Sequence, residues 1–339
     1  MKKNILFLTA IFLTVTALNA QIVALHQTGS VKLFNGTNAF VSACNTAVAG
    51  DTIYLTGNGF DANVILDKKL FIYGTGHYVD STSATGKTTL AGNITLNENA
   101  DGFHLEGITL TGKVSTTYNH SVNNVIIRYC HIIGSIEIIG DRSNPAANLT
   151  LTSNILGYVE LQNAQNVLIS NNIIKQGISG TYGNIITNNV FLSKLPNGYY
   201  ENFRGDNNIA ANNIFRIQGS YGMVLNGNNN QFFNNLLAFS NPSYGSNATA
   251  TGNYTDVALT DIFINQTGDL FDYSHNYHLK TPGTYLGTDG TQVGIYGGTH
   301  PYKEGAVPSN PHFISATIAP QTNAQGKLEI TIKTSAQER

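Results

Sequence analysis

The sequence is poor in charged residues, in proline and in cysteine. Charged residues make up 11% of the 339 residues, tryptophan is absent, and there are 8 prolines and 2 cysteines. The net charge of −2 excludes the basic surface that binds nucleic acid. A hydrophobic fraction of 41% is enough for a core and is not typical of a disordered chain. Glycine (34 residues) and asparagine (about 40) are abundant, and because both favour turns over helices, they argue against a mostly helical protein.

Residues 1–20 have the pattern of a signal peptide. Lys2 and Lys3 precede an apolar stretch over residues 5–18, which is too short for a comfortable membrane span. We expect cleavage after Ala20, although the bulky Leu18 leaves the exact bond open, and a retained anchor is the alternative. No later segment has 18 uninterrupted apolar residues, so we expect no membrane span in the mature chain. The predicted location is the periplasm or the cell exterior.

The middle of the chain repeats a short pattern: apolar, x, apolar, x, x, Asn, x, apolar. Its sixth position falls at residues 108, 130, 154, 172, 189, 213 and 235, in steps of 22, 24, 18, 17, 24 and 22. The apolar residues alternate with a period of two, which indicates strands rather than helices. Steps near 20 residues with variable insertions are typical of a solenoid, whose coils would stack as parallel strands.

Asparagine recurs at the sixth position of the repeat. An amide that points inward at a bend has to be paired, and the asparagine one coil away is a suitable partner. Asparagine also tolerates the left-handed conformation of tight bends. We therefore predict a structural ladder, with ligand binding as the alternative, formed by Asn154, Asn172, Asn189, Asn213 and Asn235.

These repeats resemble the parallel β-helix of the pectin-lyase-like superfamily. The likeness runs from about Val31 to Gly298, and residues 40–55 resemble the capping helix and first coil of such proteins. The resemblance implies an all-β, right-handed parallel β-helix solenoid. We predict a solenoid domain with its N-terminal cap over residues 21–298. Residues 299–339 are predicted to form a short β tail that packs on the solenoid, with a secretion-sorting tail as the alternative.

Enzymes of this superfamily degrade acidic polysaccharides, but their motifs are missing here. The Asp-Asp, Gly-His-Gly and Arg-x-Lys motifs of polygalacturonases are absent, as are the Trp-x-Asp-His and Arg-x-Pro motifs of pectate lyases. Glu137 and Glu160 occupy equivalent places on adjacent coils and should point outward. Two such carboxylates are weak candidates for catalysis or for a Ca²⁺ site, and the alternative is two solvated side chains that splay apart. We expect no other cofactor or metal.

A group of aromatic and charged residues lies in one of the long 24-residue steps of the repeat. We predict that it forms a loop leaving the solenoid, where tyrosine rings stack on sugars and charged groups bond hydroxyls or carboxylates. Packing of the aromatic rings over the solenoid flank is the alternative. The candidate binding residues are Tyr199, Tyr200, Phe203, Arg204 and Asp206 in this step, with Tyr221 in the next coil.

Two functions are consistent with these patterns. The first is an exported, non-catalytic protein that binds glycans or other surfaces as a monomer; its partner would be a polysaccharide or a cell-surface glycan. The second is a polysaccharide lyase or glycoside hydrolase that acts on acidic polysaccharide with an unfamiliar site. The sequence leaves open whether Cys44 and Cys130 form a disulfide.

Overall fold

The computed structural model describes residues 21–193, 201–217, 224–309 and 311–336. The N-terminal third contains β1 (Ile22–Gln27), β2 (Ser30–Asn35), α1 (Ala39–Thr46), β3 (Thr52–Leu55), β4 (Gly59–Asp61), β5 (Val64–Leu66), β6 (Phe71–Tyr73), a short 3-10 helix (Asp80–Thr82), β7 (Thr89–Ala91), β8 (Ile94–Leu96), β9 (His104–Glu106), β10 (Thr109–Leu110) and β11 (Val114–Thr116). The middle third contains β12 (Ile126–Arg128), β13 (His131–Ile139), β14 (Ala146–Ala147), β15 (Thr150–Thr152), β16 (Ile155–Gln162), β17 (Ala164–Gln165), β18 (Leu168–Ser170), β19 (Ile173–Tyr182), β20 (Ile185–Thr187), β21 (Val190–Phe191), β22 (Glu201–Asp206), β23 (Ile209–Ala211) and β24 (Ile214–Phe215). The C-terminal third contains β25 (Val224–Asn226), β26 (Gln231–Phe233), β27 (Leu236–Leu237), β28 (Thr249–Thr251), α2 (Leu259–Ile262), β29 (Phe263–Asn265), β30 (Asn276–Leu279), β31 (His312–Ile318) and β32 (Ile330–Ser335).

The chain winds as a parallel β-solenoid, which confirms the predicted all-β fold. A 12-stranded sheet forms the first face; its strands from β3 to β28 are parallel, and each comes from a successive coil. A 14-stranded sheet forms two further faces. The second face runs from β4 through β7 and β10 to β27, and the third face runs from β5 through β8 and β11 to β25. Strands β13, β16 and β19 belong to both faces. Register shifts in the β13–β16 and β16–β19 pairings mark where these long strands bend between the two faces.

Side chains along each strand alternate between pointing inward and outward, and the inward ones fill the interior of the solenoid. On the first face, inward residues of successive coils stack directly on one another, so that one apolar column passes through the coils. All of its members are fully buried: Ile72, Leu105, Ile127, Leu151, Ile169, Ile186, Ala210 and Phe232. Burial of such side chains stabilises each coil by about 1.5–3 kcal/mol per large residue. The short repeat therefore builds one continuous core.

The N-terminal end of the stack is closed by α1 and by an antiparallel hairpin. Helix α1 buries Ala39, Phe40, Ala43 and Cys44, which share one helical face, and this confirms the predicted helix near the N-terminus. Strand β1 pairs with β3 and β2 pairs with β1, both antiparallel. This reversal of strand direction ends the parallel ladder and covers the first coil.

The segment after residue 298 has two parts that differ in burial. Tyr302, Ala306 and Val307 are buried, and a Cβ atom placed on Gly107 would lie 2.0 Å from Cγ of Pro308, so this part packs tightly on the solenoid. The antiparallel hairpin β31–β32 that follows is largely exposed. Its exposed apolar residues are Phe313, Ile314, Ile318, Ile330 and Ile332. Packing of the tail is therefore concentrated before the hairpin.

Candidate functional site

The five predicted ladder asparagines lie in one buried column. Asn172 illustrates the contacts: its Nδ2 donates to the backbone O of Leu151 (2.8 Å) and to Oδ1 of Asn189 (3.0 Å), and its backbone N–H donates to the same Oδ1 (3.0 Å). Asn154, Asn189, Asn213 and Asn235 repeat this pattern. Asn253, which the sequence pattern missed, ends the column. The amides pair with one another, so this column is structural rather than a ligand site.

The left-handed residue at each bend is the one that precedes the ladder asparagine. Left-handed φ values between 49° and 59° occur at Ser153, Asn171, Asn188, Asn212 and Asn234. The prediction that the ladder asparagines themselves supply this conformation is therefore wrong. The pair of asparagines in Asn171-Asn172 and its equivalents has a physical reason: the first turns the backbone, and the second fills the interior.

A second ladder of asparagines, which the repeat pattern did not predict, lies at another corner of the solenoid. Nδ2 of Asn208 donates to Oδ1 of Asn230 at 3.1 Å, and the backbone N–H of Asn184 donates to Oδ1 of Asn208 at 3.0 Å. All three side chains are buried. The doublets Asn207-Asn208 and Asn229-Asn230, 22 residues apart, were the available signal.

The predicted binding loop is partly a strand. Residues Glu201–Asp206 form β22, which pairs with β19 and β25 in the third face, so the prediction of a loop is wrong for these residues. Phe203 is fully buried in the core and packs edge-on against Phe232, at 5.8 Å between ring centroids, so it is not a binding residue. Alternation along the strand explains this, because Phe203 points inward. Tyr199, Tyr200 and Tyr221 lie outside the described residues.

Arg204 and Asp206 instead line a groove that runs across the third face. We call it the third-face groove; it has a volume of about 550 Å³ and is lined by Pro145, Gln162, Asn163, Ala164, Gln165, Gly180, Thr181, Tyr182, Arg204, Gly205, Asp206, Asn226 and Gly227. Strands β16, β19, β22 and β25 contribute to it, so it crosses four coils, roughly 14 Å at the usual strand spacing.

The third-face groove combines an exposed aromatic ring with hydrogen-bonding groups. The Tyr182 side chain is 59% exposed and lies in register with Asp206 of the next coil. Asp206 is held by the backbone N–H and Nδ2 of Asn228, at 2.7 and 3.2 Å. Arg204 is exposed at the same wall. A flat ring, a guanidinium, a carboxylate and side-chain amides are together suited to a ligand with many hydroxyl groups.

Glu137 and Glu160 are in direct register on adjacent strands of the third face, as the repeat predicted. Lys113 Nζ lies 2.6 Å from Oε2 of Glu137, and Ser135 Oγ donates to Oε1 at 2.6 Å. Burial raises the pKa of Glu137, but these hydrogen bonds and the charge of Lys113 outweigh it and lower the pKa overall. Glu160 accepts a hydrogen bond of 2.5 Å from Nε2 of Gln162.

This arrangement suits an ion pair better than an acid and nucleophile pair. A carboxyl group that acts as a general acid near neutral pH needs a raised pKa, and the pKa of Glu137 is lowered. For a Ca²⁺ site, six to eight oxygen ligands are required. Over the residues that the structure describes, no group of three or more His, Cys, Asp or Glu side chains could hold a metal ion. Among these residues, no third carboxylate, imidazole or thiol thus joins the two glutamates as a ligand.

A second ion pair, between Glu106 and Arg128, joins adjacent coils on the first face. Arg128 Nε donates to Glu106 Oε2 at 2.7 Å, His104 Nε2 lies 3.0 Å from the same oxygen, and the backbone N–H of Ser309 donates to Oε1. Burial raises the pKa of Glu106, but the hydrogen bonds from His104 and Ser309 and the charge of Arg128 lower it to about 2. Glu106 thereby connects the solenoid to the segment that follows it, which is a structural role.

Cys44 and Cys130 are both free and buried, which settles the question that the sequence left open. No helix in the described part of the chain has the length and apolar character of a membrane span. Comparison with protein-family models, with curated proteins and with solved structures gives no match. The strand pairing shows that the fold is a parallel β-solenoid. Membership of a superfamily is a prediction from the sequence.

Proposed function

We propose that this chain is an exported, non-catalytic glycan-binding protein of the pectin-lyase-like β-helix type, which acts as a monomer. The observation that carries the proposal is the exposed Tyr182 ring beside Arg204 in a groove that crosses four coils. The pattern of residues 1–20, which lie outside the described residues, supports export.

The third-face groove holds a short oligosaccharide along the stack of coils. Tyr182 stacks on one sugar face, because the apolar C–H face of a sugar packs against an aromatic ring. Arg204 and Asp206 bond hydroxyl or carboxylate groups, and the amides of Gln162, Gln165 and Asn226 both donate and accept. The rigid strands below hold these groups in fixed positions, which lowers the entropy cost of binding.

The proposal is tested by applying the purified chain without residues 1–20 to a glycan array, followed by calorimetry with the oligosaccharides that bind. We expect Tyr182→Ala to weaken binding by about tenfold. Tyr118→Ala is the matched control, because Tyr118 is 71% exposed and does not line the groove. Absence of binding to every glycan, or equal loss in both variants, would contradict the proposal.

A second assay separates binding from catalysis. The chain is incubated with acidic polysaccharides, with and without Ca²⁺, and ultraviolet absorbance of unsaturated uronates and the release of reducing ends are followed. We expect neither signal, because Glu137 is held as an ion pair with Lys113. If the unsubstituted chain forms product and Glu137→Gln or Glu160→Gln does not, the chain is a lyase or a hydrolase rather than a binding protein.

A further inference from the structure

A second concave site lies beside the second face, and its lining differs from that of the third-face groove in composition and in charge. We call it the tyrosine pocket; it has a volume of about 510 Å³ and is lined by Tyr78, Asp80, Ser81, Ile173, Tyr273, His275, Asn276, Tyr277, Ile295, Tyr296, Tyr302, Glu304 and Gly305. Apart from Ile173 in β19, these residues come from three separate segments, around residues 78–81, 273–277 and 295–305.

Tyrosine rings at right angles form the walls of the tyrosine pocket. The rings of Tyr78 and Tyr273 meet at 80° with centroids 4.8 Å apart, and those of Tyr296 and Tyr302 meet at 89° with centroids 6.3 Å apart. The hydroxyl groups of Tyr78 and Tyr302 hydrogen-bond at 3.0 Å, which ties one wall to another. Tyr296 is held from behind by His278, whose ring stacks on it at 3.8 Å.

The tyrosine hydroxyl groups stay neutral, because burial raises the pKa of Tyr78, Tyr273, Tyr296 and Tyr302. The rings therefore present neutral π-faces, whose quadrupole attracts a cation.

The charged residues in the lining of the pocket also favour a cation. Two carboxylates, Asp80 and Glu304, lie in the lining, and the lining contains no lysine or arginine. His275 is the basic residue of the set. The Glu304 side chain is 73% exposed at the rim, and its Oε1 lies 3.6 Å from Nδ1 of His278, the residue that stacks on Tyr296. An anionic sugar would meet two carboxylates here, whereas a cation would meet both the carboxylates and the ring faces.

We propose that the tyrosine pocket binds a small organic cation, an amine or a quaternary ammonium group, between its perpendicular rings and its two carboxylates. The ammonium group sits against the tyrosine faces, and Asp80 and Glu304 neutralise its charge from the rim. This binding is independent of the glycan site, because none of the residues is shared with the third-face groove.

The experiment uses the purified chain without residues 1–20 and two probes of the same shape. Choline carries a quaternary ammonium, and 3,3-dimethyl-1-butanol replaces that ammonium by a neutral carbon. Titration is followed by NMR and by tyrosine fluorescence. We expect choline to bind at least about tenfold more tightly than the neutral probe, because the cation–π and carboxylate attractions need the charge.

Three variants assign the binding to the pocket. Glu304→Gln should weaken choline binding severalfold. Tyr296→Leu should reduce the preference for choline severalfold, and Tyr296→Phe, which keeps the π-face, should retain it. Glu329→Gln, which removes an exposed carboxylate outside the pocket, is the control and should bind as the unsubstituted chain does. Equal affinity for the two probes, no binding of choline, or binding unaffected by Glu304→Gln and Tyr296→Leu would overturn the proposal.

Discussion

The side-chain amide of Asn172 donates a hydrogen bond of 3.0 Å to Oδ1 of Asn189, the residue at the same position one coil further along. The same Oδ1 also accepts from the backbone N–H of Asn172. Asn172 in turn accepts both equivalent bonds from Asn154. Each buried amide is thus paired to the coil before it and to the coil after it. The ladder therefore contributes to the register between coils as well as to their stability.

We expect Asn172→Leu to destabilise the solenoid. Leucine keeps the size of the side chain but leaves the backbone N–H of Asn154 and the carbonyl of Leu151 without these bonds. Each buried polar group left unpaired costs about 1–3 kcal/mol. Urea unfolding measures the change. Asn241→Leu, at an exposed position, is the control and should stay within about 0.5 kcal/mol of the unsubstituted chain. Equal midpoints for the two variants would contradict a stabilising ladder.

We expect Gly107→Ala to destabilise the chain more than Gly183→Ala. Both glycines have left-handed φ values, +70° and +66°, at which alanine costs about 1–2 kcal/mol. A Cβ on Gly107 would also lie 2.0 Å from Cγ of Pro308, whereas nothing lies within 4 Å of one on Gly183. The difference between the two variants in urea unfolding therefore isolates the docking of residues 302–309. If the two variants lose the same stability, that docking contributes nothing.

Two histidines should make the chain sensitive to mild acid: His77 is fully buried and His131 is half-buried. His77 Nδ1 and His131 Nδ1 lie 3.2 and 2.7 Å from the hydroxyl group of Tyr273. Burial lowers the pKa of His77 well below 6.5, and burial together with the charges of Lys175 and Lys87 lowers that of His131 to about 3. Below pH 6.5 the unfolded chain therefore binds protons that the folded chain does not, and stability falls as the pH falls toward 3.

The measurement is the urea midpoint between pH 7 and pH 5.5, where Glu106 is mostly ionised in the unfolded chain as well, since its ordinary pKa is 4.5. We expect His131→Gln to flatten this pH dependence, since one of the two protons is no longer taken up on unfolding. His300→Gln removes an exposed imidazole and serves as the control. A slope that is the same with and without His131 would be inconsistent with its lowered pKa.

The thiols of Cys44 and Cys130 should not react in the folded chain. Burial raises the pKa of each to about 12, and the thiolate is the reactive form. A thiol reagent such as Ellman's reagent should therefore label neither cysteine at neutral pH and both cysteines in denaturant. Reducing agent should leave the unfolding midpoint unchanged, because the cysteines are free. Rapid labelling under native conditions would contradict their burial.

The period of the repeat was enough to predict the solenoid and the ladder. A residue pattern that recurs at each coil can be read locally, because stacked coils contact each other through equivalent positions. The capping helix was predicted instead from the resemblance of residues 40–55 to the N-terminal edge of known β-helix proteins, and α1 confirms it by burying Phe40, Ala43 and Cys44 on one face. The role of Phe203 was not predictable, because the long step around it hid the phase of β22, and only that phase sends the ring into the core.

The sequence alone determined the period, the inward apolar columns and the asparagine column, because each follows from a short pattern that recurs from one coil to the next. The contact of Tyr273 with His131 depends on the folded chain, since the two residues are 142 positions apart in the sequence. The tyrosine pocket does too, since Tyr78 and Tyr302, whose hydroxyl groups hydrogen-bond in it, are 224 positions apart. The same holds for the third-face groove, whose walls come from four coils. Contacts of this kind depend on how loops of different lengths pack on the stack, and no repeating pattern encodes that packing.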